Sequence, residues 1–299
     1  MRLYIFICIL MLSGCSFFKH KQEPVPALKT LLNELSFYKL DNQKRLHAGD
    51  LLEHSLWTHY AATALLEDKS PWVADYTFTE RDKELLSLAG LLHDIGKAGR
   101  SELLSGTHPK LQYRIALNDG GIATKITYTS DHEEHVQVGF DYLAELFFPI
   151  GQAPQFFSSR SQPISFQPLF TQLNVTLEEQ KLVAILVGMH YSFGKIVRGD
   201  LTFDQFLHEI KHYAHFVRYN NVDEHLLRLA VLVQVADVTG MSYVEPRPTW
   251  LLQTPDACPP SHQNVPSAYD RFGYNTQRPI TIFHQLLAYF KNQKTFKRS

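Results

Sequence analysis

From Leu28 onward the apolar residues of this chain recur at the helical period. Leu51, Leu52, Leu56 and Tyr60 mark one amphipathic segment. Leu85, Leu88, Ala89 and Leu92 mark a second, and Val136, Phe140, Leu143 and Phe147 a third. Residues 182–189 and 229–236 are apolar nearly all round, with Gln234 the one polar interruption of the latter, which predicts two helices at the centre of a bundle. Asn221, with Glu224 three residues on, reads as the cap of the second of them. A short last helix is expected over 280–290. The predicted fold class is therefore all-α, a helical bundle.

Two stretches break the period. Residues 111–117 and 122–128 alternate around Asn118-Asp119-Gly120-Gly121 and predict a small β-hairpin insertion, placed to act as a flap. Residues 149–176 lack periodicity and read as a long loop, and 245–278 are rich in proline and polar residues. No internal repeat stands out, and no linker divides two cores.

The N-terminus departs from the helical body. One early Arg2 precedes an apolar run from Leu3 to Leu12, too short to cross a bilayer but suited to the core of a secretory signal. Leu12-Ser13-Gly14-Cys15 resembles a bacterial lipobox, which implies lipid on Cys15 and anchoring to the cell envelope. Ser16 points to the outer membrane, facing the periplasm, in a Gram-negative host. The expected organisation is a signal peptide over 1–14, a lipidated tether over 15–30, the helical domain over 31–243, and a Pro-rich extension with a C-terminal helix over 244–299. Of three cysteines, Cys8 leaves with the signal and Cys15 carries lipid, so Cys258 is left without a disulfide partner. With 29 basic and 30 acidic residues the formal charge is −1, which leaves no global nucleic-acid footprint.

Chemistry concentrates around LAGLLHDIGKAGR, residues 88–100. Adjacent helical residues point about 100° apart, so His93 and Asp94 are poorly placed to bond each other and well placed to grip one ion. Two side chains cannot fill a coordination shell. Further donors stand where apolar residues are expected: His54 in a leucine-rich segment, His135 opening HVQVGF, His190 ending AILVGMH, and Asp237 ending VLVQVAD. A buried Asp237 is costly unless a cation or hydrogen bonds compensate it, and a helix-capping role is the other reading.

The ordered series His54, His93-Asp94, His135, His190 and Asp237 resembles the HD superfamily of metal-dependent phosphohydrolases. EHSLWT, LLHDIGK, HVQVG and VADVTG are similar to its local words. The resemblance implies an HD-type helical bundle in which His54, His93, Asp94 and Asp237 hold one divalent ion, while Asp94 bridges to a second held by His135 and His190. It also implies an enzyme cleaving a phosphate ester, nucleotide-like in class, with Asp94 and Lys97 as catalytic residues and Lys97 on a phosphate oxygen. Such an imidazole-rich shell suits Fe, Mn, Co or Zn. His190 is followed by Tyr191, and HYSFGKIVRGD lacks the Gly-Tyr-Pro signature common in cyclic di-GMP phosphodiesterases of this superfamily. Lys195 and Arg198 are further candidates for substrate phosphate. A non-catalytic HD lipoprotein, binding a nucleotide or supporting an envelope assembly, is the alternative.

A rival motif lies at His208-Glu209-Ile210-Lys211-His212, which satisfies the H-E-x-x-H pattern of zinc metalloproteases. The apolar stripe Phe203, Phe206, Leu207, Ile210, Tyr213, Ala214 and Val217 puts His208, His212 and His215 on the opposite, solvated face. The protease reading ranks below the phosphohydrolase.

Overall fold

A computed structural model describes residues 26–35, 38–39, 51–67, 72–73, 75–98, 113–117, 123–128, 134–153, 156–157, 163–240 and 277–296. The expected signal, Cys15 and most of the Pro-rich stretch lie outside these residues. Among the described residues no helix is long and apolar enough to cross a membrane.

Ten α-helices are described: α1 Pro26–Leu35, α2 Leu51–Glu67, α3 Glu80–Leu92, α4 Glu134–Leu143, α5 Gln167–Gln172, α6 Leu177–Met189, α7 Ser192–Arg198, α8 Phe203–Phe216, α9 Glu224–Gly240 and α10 Gln277–Phe296. The all-α reading holds. The sequence writes three of the described helix starts as reciprocal caps. Thr79 with Asp82, Thr176 with Glu179, and Thr202 with Gln205 each close a capping box at the head of α3, α6 and α8. For α9 the side chain that accepts the Leu226 amide is Asp223, two residues beyond the expected Asn221.

The two helices predicted to be central are central. Every residue of α6 from Gln180 to Met189 is buried, and α9 is buried along Leu226 to Leu227 and Leu229 to Ala236. Around them α2 packs on α3 and α9, α4 on α6, α8 on α6, and α10 on α9 and α7. The α8 stripe is as predicted, with Phe206, Leu207, Ile210, Ala214 and Val217 buried.

Three expectations change. Residues 26–30, assigned to a tether, open α1, whose Leu28, Leu31, Leu32 and Leu35 join the core. The segment 149–176 is not a bare loop: Phe156–Phe157 and Pro163–Ile164 pair as antiparallel strands, and Phe166, Leu169 and Phe170 are buried around α5. Short elements fold here because scattered aromatics bury without needing a period. The C-terminal helix runs to Phe296 and buries Ile280, Phe283, Leu286, Leu287 and Phe290. The β-hairpin is present, Tyr113–Leu117 against Ala123–Tyr128, with Tyr38–Lys39 added in parallel to its second strand.

The α2–α3 contact matters most for the site. A Cβ on Gly90 of α3 would lie 3.1 Å from the Thr58 carbonyl oxygen of α2, so the two backbones touch there without side chains between them. One turn away, buried His59 donates from Nδ1 to the Ser87 carbonyl at 3.0 Å. Burial lowers the His59 pKa to about 4, against the Ser87 bond that raises it. The folded chain thus refuses a proton that the unfolded chain accepts below pH 6.5, so this histidine withdraws stability as pH falls from 6.5 toward 4. Between pH 7 and pH 5 the native chain should lose about 2 kcal/mol more unfolding free energy than His59→Gln, measured by denaturant titration. Equal losses would show that His59 is not held neutral.

Candidate metal centre

The six predicted donors come from five helices or their ends. His54 stands in the first turn of α2 and His135 in that of α4. His93 is the C-cap of α3 and His190 the C-cap of α6. Asp94 follows His93 directly, and Asp237 lies in α9. All six side chains are buried: His54 1%, His93 0%, Asp94 1%, His135 2%, His190 1% and Asp237 3% exposed.

The structure brings them together as two adjoining sets. In the first, His54 Nε2 lies 3.1 Å from His93 Nε2, 3.3 Å from Asp94 Oδ2 and 3.2 Å from Asp237 Oδ1. His93 Nε2 is 3.4 Å from Asp94 Oδ2 and 3.3 Å from Asp237 Oδ1. Donors bound tetrahedrally to one ion at about 2.0 Å stand about 3.3 Å apart, so these spacings match a single coordination shell. In the second set His135 Nε2 is 3.1 Å and His190 Nε2 3.7 Å from Asp94 Oδ1, with the two imidazole nitrogens 3.2 Å apart. Asp94 therefore turns one oxygen to each set.

Helix ends fix which nitrogen faces the centre. His93 Nδ1 donates to the Gly90 carbonyl at 2.7 Å, and His190 Nδ1 to the Val187 carbonyl at 2.7 Å. Each bond satisfies a helix-terminal carbonyl and leaves a lone pair on Nε2 of the neutral ring. Metal-binding histidines are oriented in the same way, by a hydrogen bond from the other ring nitrogen.

The electrostatics call for positive charge. Burial alone would lower the His93 pKa, but Asp94 and Asp237 outweigh it and raise it to about 10. Burial opposes ionisation of Asp94 as well, yet His93 and Lys97 hold it well below the usual carboxylate range. Asp237 is held low against burial by His93 and His54. Burial, reinforced by the charges of Lys97 and His93, lowers His135 to about 4. Burial and then His93 and His135 lower His190 to about 3. Two imidazoles are thus neutral and ready to donate electron pairs at ordinary pH. Asp237 Oδ1 is buried with no hydrogen-bond partner despite its two imidazole neighbours, the state expected of a carboxylate oxygen awaiting a cation. The donor set fits one or two divalent ions.

Lys97 lies beside the shared carboxylate. It sits in the 3₁₀ turn Ile95–Ala98, is 4% exposed, and places Nζ 2.5 Å from Asp94 Oδ2. The ammonium braces the shared carboxylate. Lys195 and Arg198 lie on α7, both over the Tyr191 ring. The rival histidines His208 and His212 are exposed on α8 and join neither donor set.

One determinant was present in the motif and its reason was not. A Cβ on Gly96 would fall 1.9 Å from the His135 carbonyl oxygen and 2.7 Å from the Gly139 nitrogen. Only glycine lets the turn after Asp94 lie against α4, the approach that carries His135 to the other side of Asp94. The signal was the Gly in HDIGK, but its partner is found only in three dimensions.

The HD domain family model matches residues 51–160, the segment that carries His54, His93, Asp94, Lys97 and His135. His190 and Asp237 reach the same centre from beyond that segment. Comparison with curated proteins and with solved structures gave no match.

Gly96→Ala should cost about 1–3 kcal/mol through overpacking and should reduce bound metal per chain, because it drives the Asp94 turn from His135. Denaturant unfolding and elemental analysis check both, and a variant of native stability and metal content would show that the close approach is not required.

Proposed function

We propose that this chain is a metal-dependent phosphohydrolase of HD type acting on a nucleotide-like phosphate ester, a phosphodiesterase or a monoesterase. The observation that supports it best is the division of Asp94, one oxygen toward His54 and His93, which Asp237 also approaches, and the other toward His135 and His190. Divalent ions bound in such a pair supply Lewis acidity toward a phosphoryl group and lower the pKa of an attacking water.

The protein's own part is to hold charge in place. Asp94, as the shared carboxylate, sets the spacing of the two donor sets, and Lys97 keeps its orientation. His190, tied to Val187, presents a fixed lone pair, and His93, tied to Gly90, presents one once a cation displaces its proton. Asp237 adds the second carboxylate and so makes the first set, with four donors, the more negative and the tighter of the two. Burial strengthens each of these interactions by excluding water.

The substrate is proposed to be a phosphorylated small molecule rather than a nucleic acid, in line with the formal charge of −1. The chain is proposed to act at the cell envelope, held by lipid on Cys15 and, in a Gram-negative host, on the periplasmic face of the outer membrane.

The test is turnover. With Fe, Mn, Co or Zn supplied, a panel of mononucleotides, cyclic dinucleotides and generic phosphodiesters should yield at least one product. Asp94→Ala or chelation should abolish it, and His208→Ala should spare it. Removing so central a ligand is expected to lower the rate by on the order of a thousandfold or more. A metal-free protein without turnover on the whole panel would favour the non-catalytic alternative.

A further inference from the structure

The motif at His208-Glu209-Ile210-Lys211-His212 plays no part in the buried centre, yet the fold does not leave it on a plain solvated face. His208, Glu209 and His212 line a groove of about 340 Å³ bounded by α4, α6, α7 and α8. Gln137, Lys195 and Tyr213 line it too, and none of the six donors of the buried centre does.

The polar groups of the groove divide into spent and unspent. Tyr213 donates its hydroxyl to Gln137 Oε1 at 3.2 Å, and Gln137 Nε2 donates to Asp141 Oδ1 at 2.6 Å, so this wall is internally bonded. Tyr213 also packs its ring over Gly188 at 3.1 Å from a would-be Cβ, which seats α8 firmly on α6. By contrast the side chains of His208, Glu209 and His212 make no hydrogen bond or ion pair among the described residues; the ring of His212 lies 5.8 Å from that of Tyr213. Residues four apart on a helix stand about 5–6 Å apart at Cβ, a span that one ion bridges between two imidazoles.

We propose that this groove binds a divalent transition metal through His208 and His212. Glu209 supplies negative charge inside the groove, while Lys195 on α7 supplies a cation, so the open coordination positions take water or an anion from solution. No third His, Cys, Asp or Glu of the described residues completes a three-ligand group there, which makes the site exchangeable and distinguishes it from a catalytic zincin centre. The site is independent of the buried centre and does not rest on its chemistry.

Equilibrium dialysis of the full chain against micromolar zinc, followed by elemental analysis, tests this. The native chain should retain one more zinc than His208→Ala/His212→Ala. Each single alanine variant should weaken the groove site by on the order of tenfold or more, since half the chelate is lost. His215→Ala removes an exposed imidazole from the same helix but outside the groove, and should change nothing. Asp94→Ala should lose buried metal and keep the groove increment. All the histidines concerned are exposed, so thermal midpoints of the metal-free variants should equal that of the native chain. Equal zinc content in the native chain and the double variant would overturn the proposal, as would an equal loss from His215→Ala.

Discussion

Two ionised carboxylates and a lysine are buried together in this protein, and the rest of the structure is arranged around what that demands. Taking a charge out of water costs several kcal/mol even after relaxation, and the cost is recovered only where an opposite charge stands at bonding distance. Asp94 has Lys97 and the imidazoles; Asp237, among the described residues, has the imidazoles of His54 and His93 and keeps an oxygen without a hydrogen bond. Without a metal, the balance falls on a proton held by His93. A divalent cation meets the same demand better, because the donors around it are already spaced for a single shell.

Such spacing is a property of backbones before it is one of side chains. Gly90 lets α3 touch α2, which sets His93 beside His54. Gly96 lets the following turn touch α4, which sets His135 on the far oxygen of Asp94. The apolar helices α6 and α9, buried nearly all round, serve as fixed posts from which His190 and Asp237 project. Overpacking either glycine contact shifts one of these donors, so core packing and the convergence of the donors are one constraint here.

Much of this could be read in the chain itself. His190 and Asp237 end runs of apolar residues, where an ionisable group must be paid for by a partner, and it is their place in the ordered series with His54, His93-Asp94 and His135 that points to them as donors. The helical period located the central helices for the same reason: burial on all sides leaves a continuous apolar run. Part of what could not be read depends on contacts between distant segments, and part on local geometry that only the folded helix ends decide. The 149–176 segment hides its buried Phe156, Phe166 and Phe170 among polar residues because short elements bury single side chains without a repeat. Asp223 displaced Asn221 as the cap of α9 because two capping residues stood within reach and only the helix start decides between them. The bond from Lys97 to Asp94 follows from the 3₁₀ turn Ile95–Ala98, a local geometry that the helical period does not display. The groove at His208 and His212 joins four helices, and an exposed stripe on one of them could not reveal it.

The central claim is that the buried imidazoles and carboxylates converge because they hold metal in common. Anomalous diffraction at the absorption edge of the bound metal, from crystals of the protein purified without chelator, addresses it most directly. A peak enclosed by His54, His93, Asp94 and Asp237 is expected, with any second peak across Asp94 beside His135 and His190. A cluster of these residues held together by protons and water, with no anomalous scatterer among them after metal is added, would contradict it.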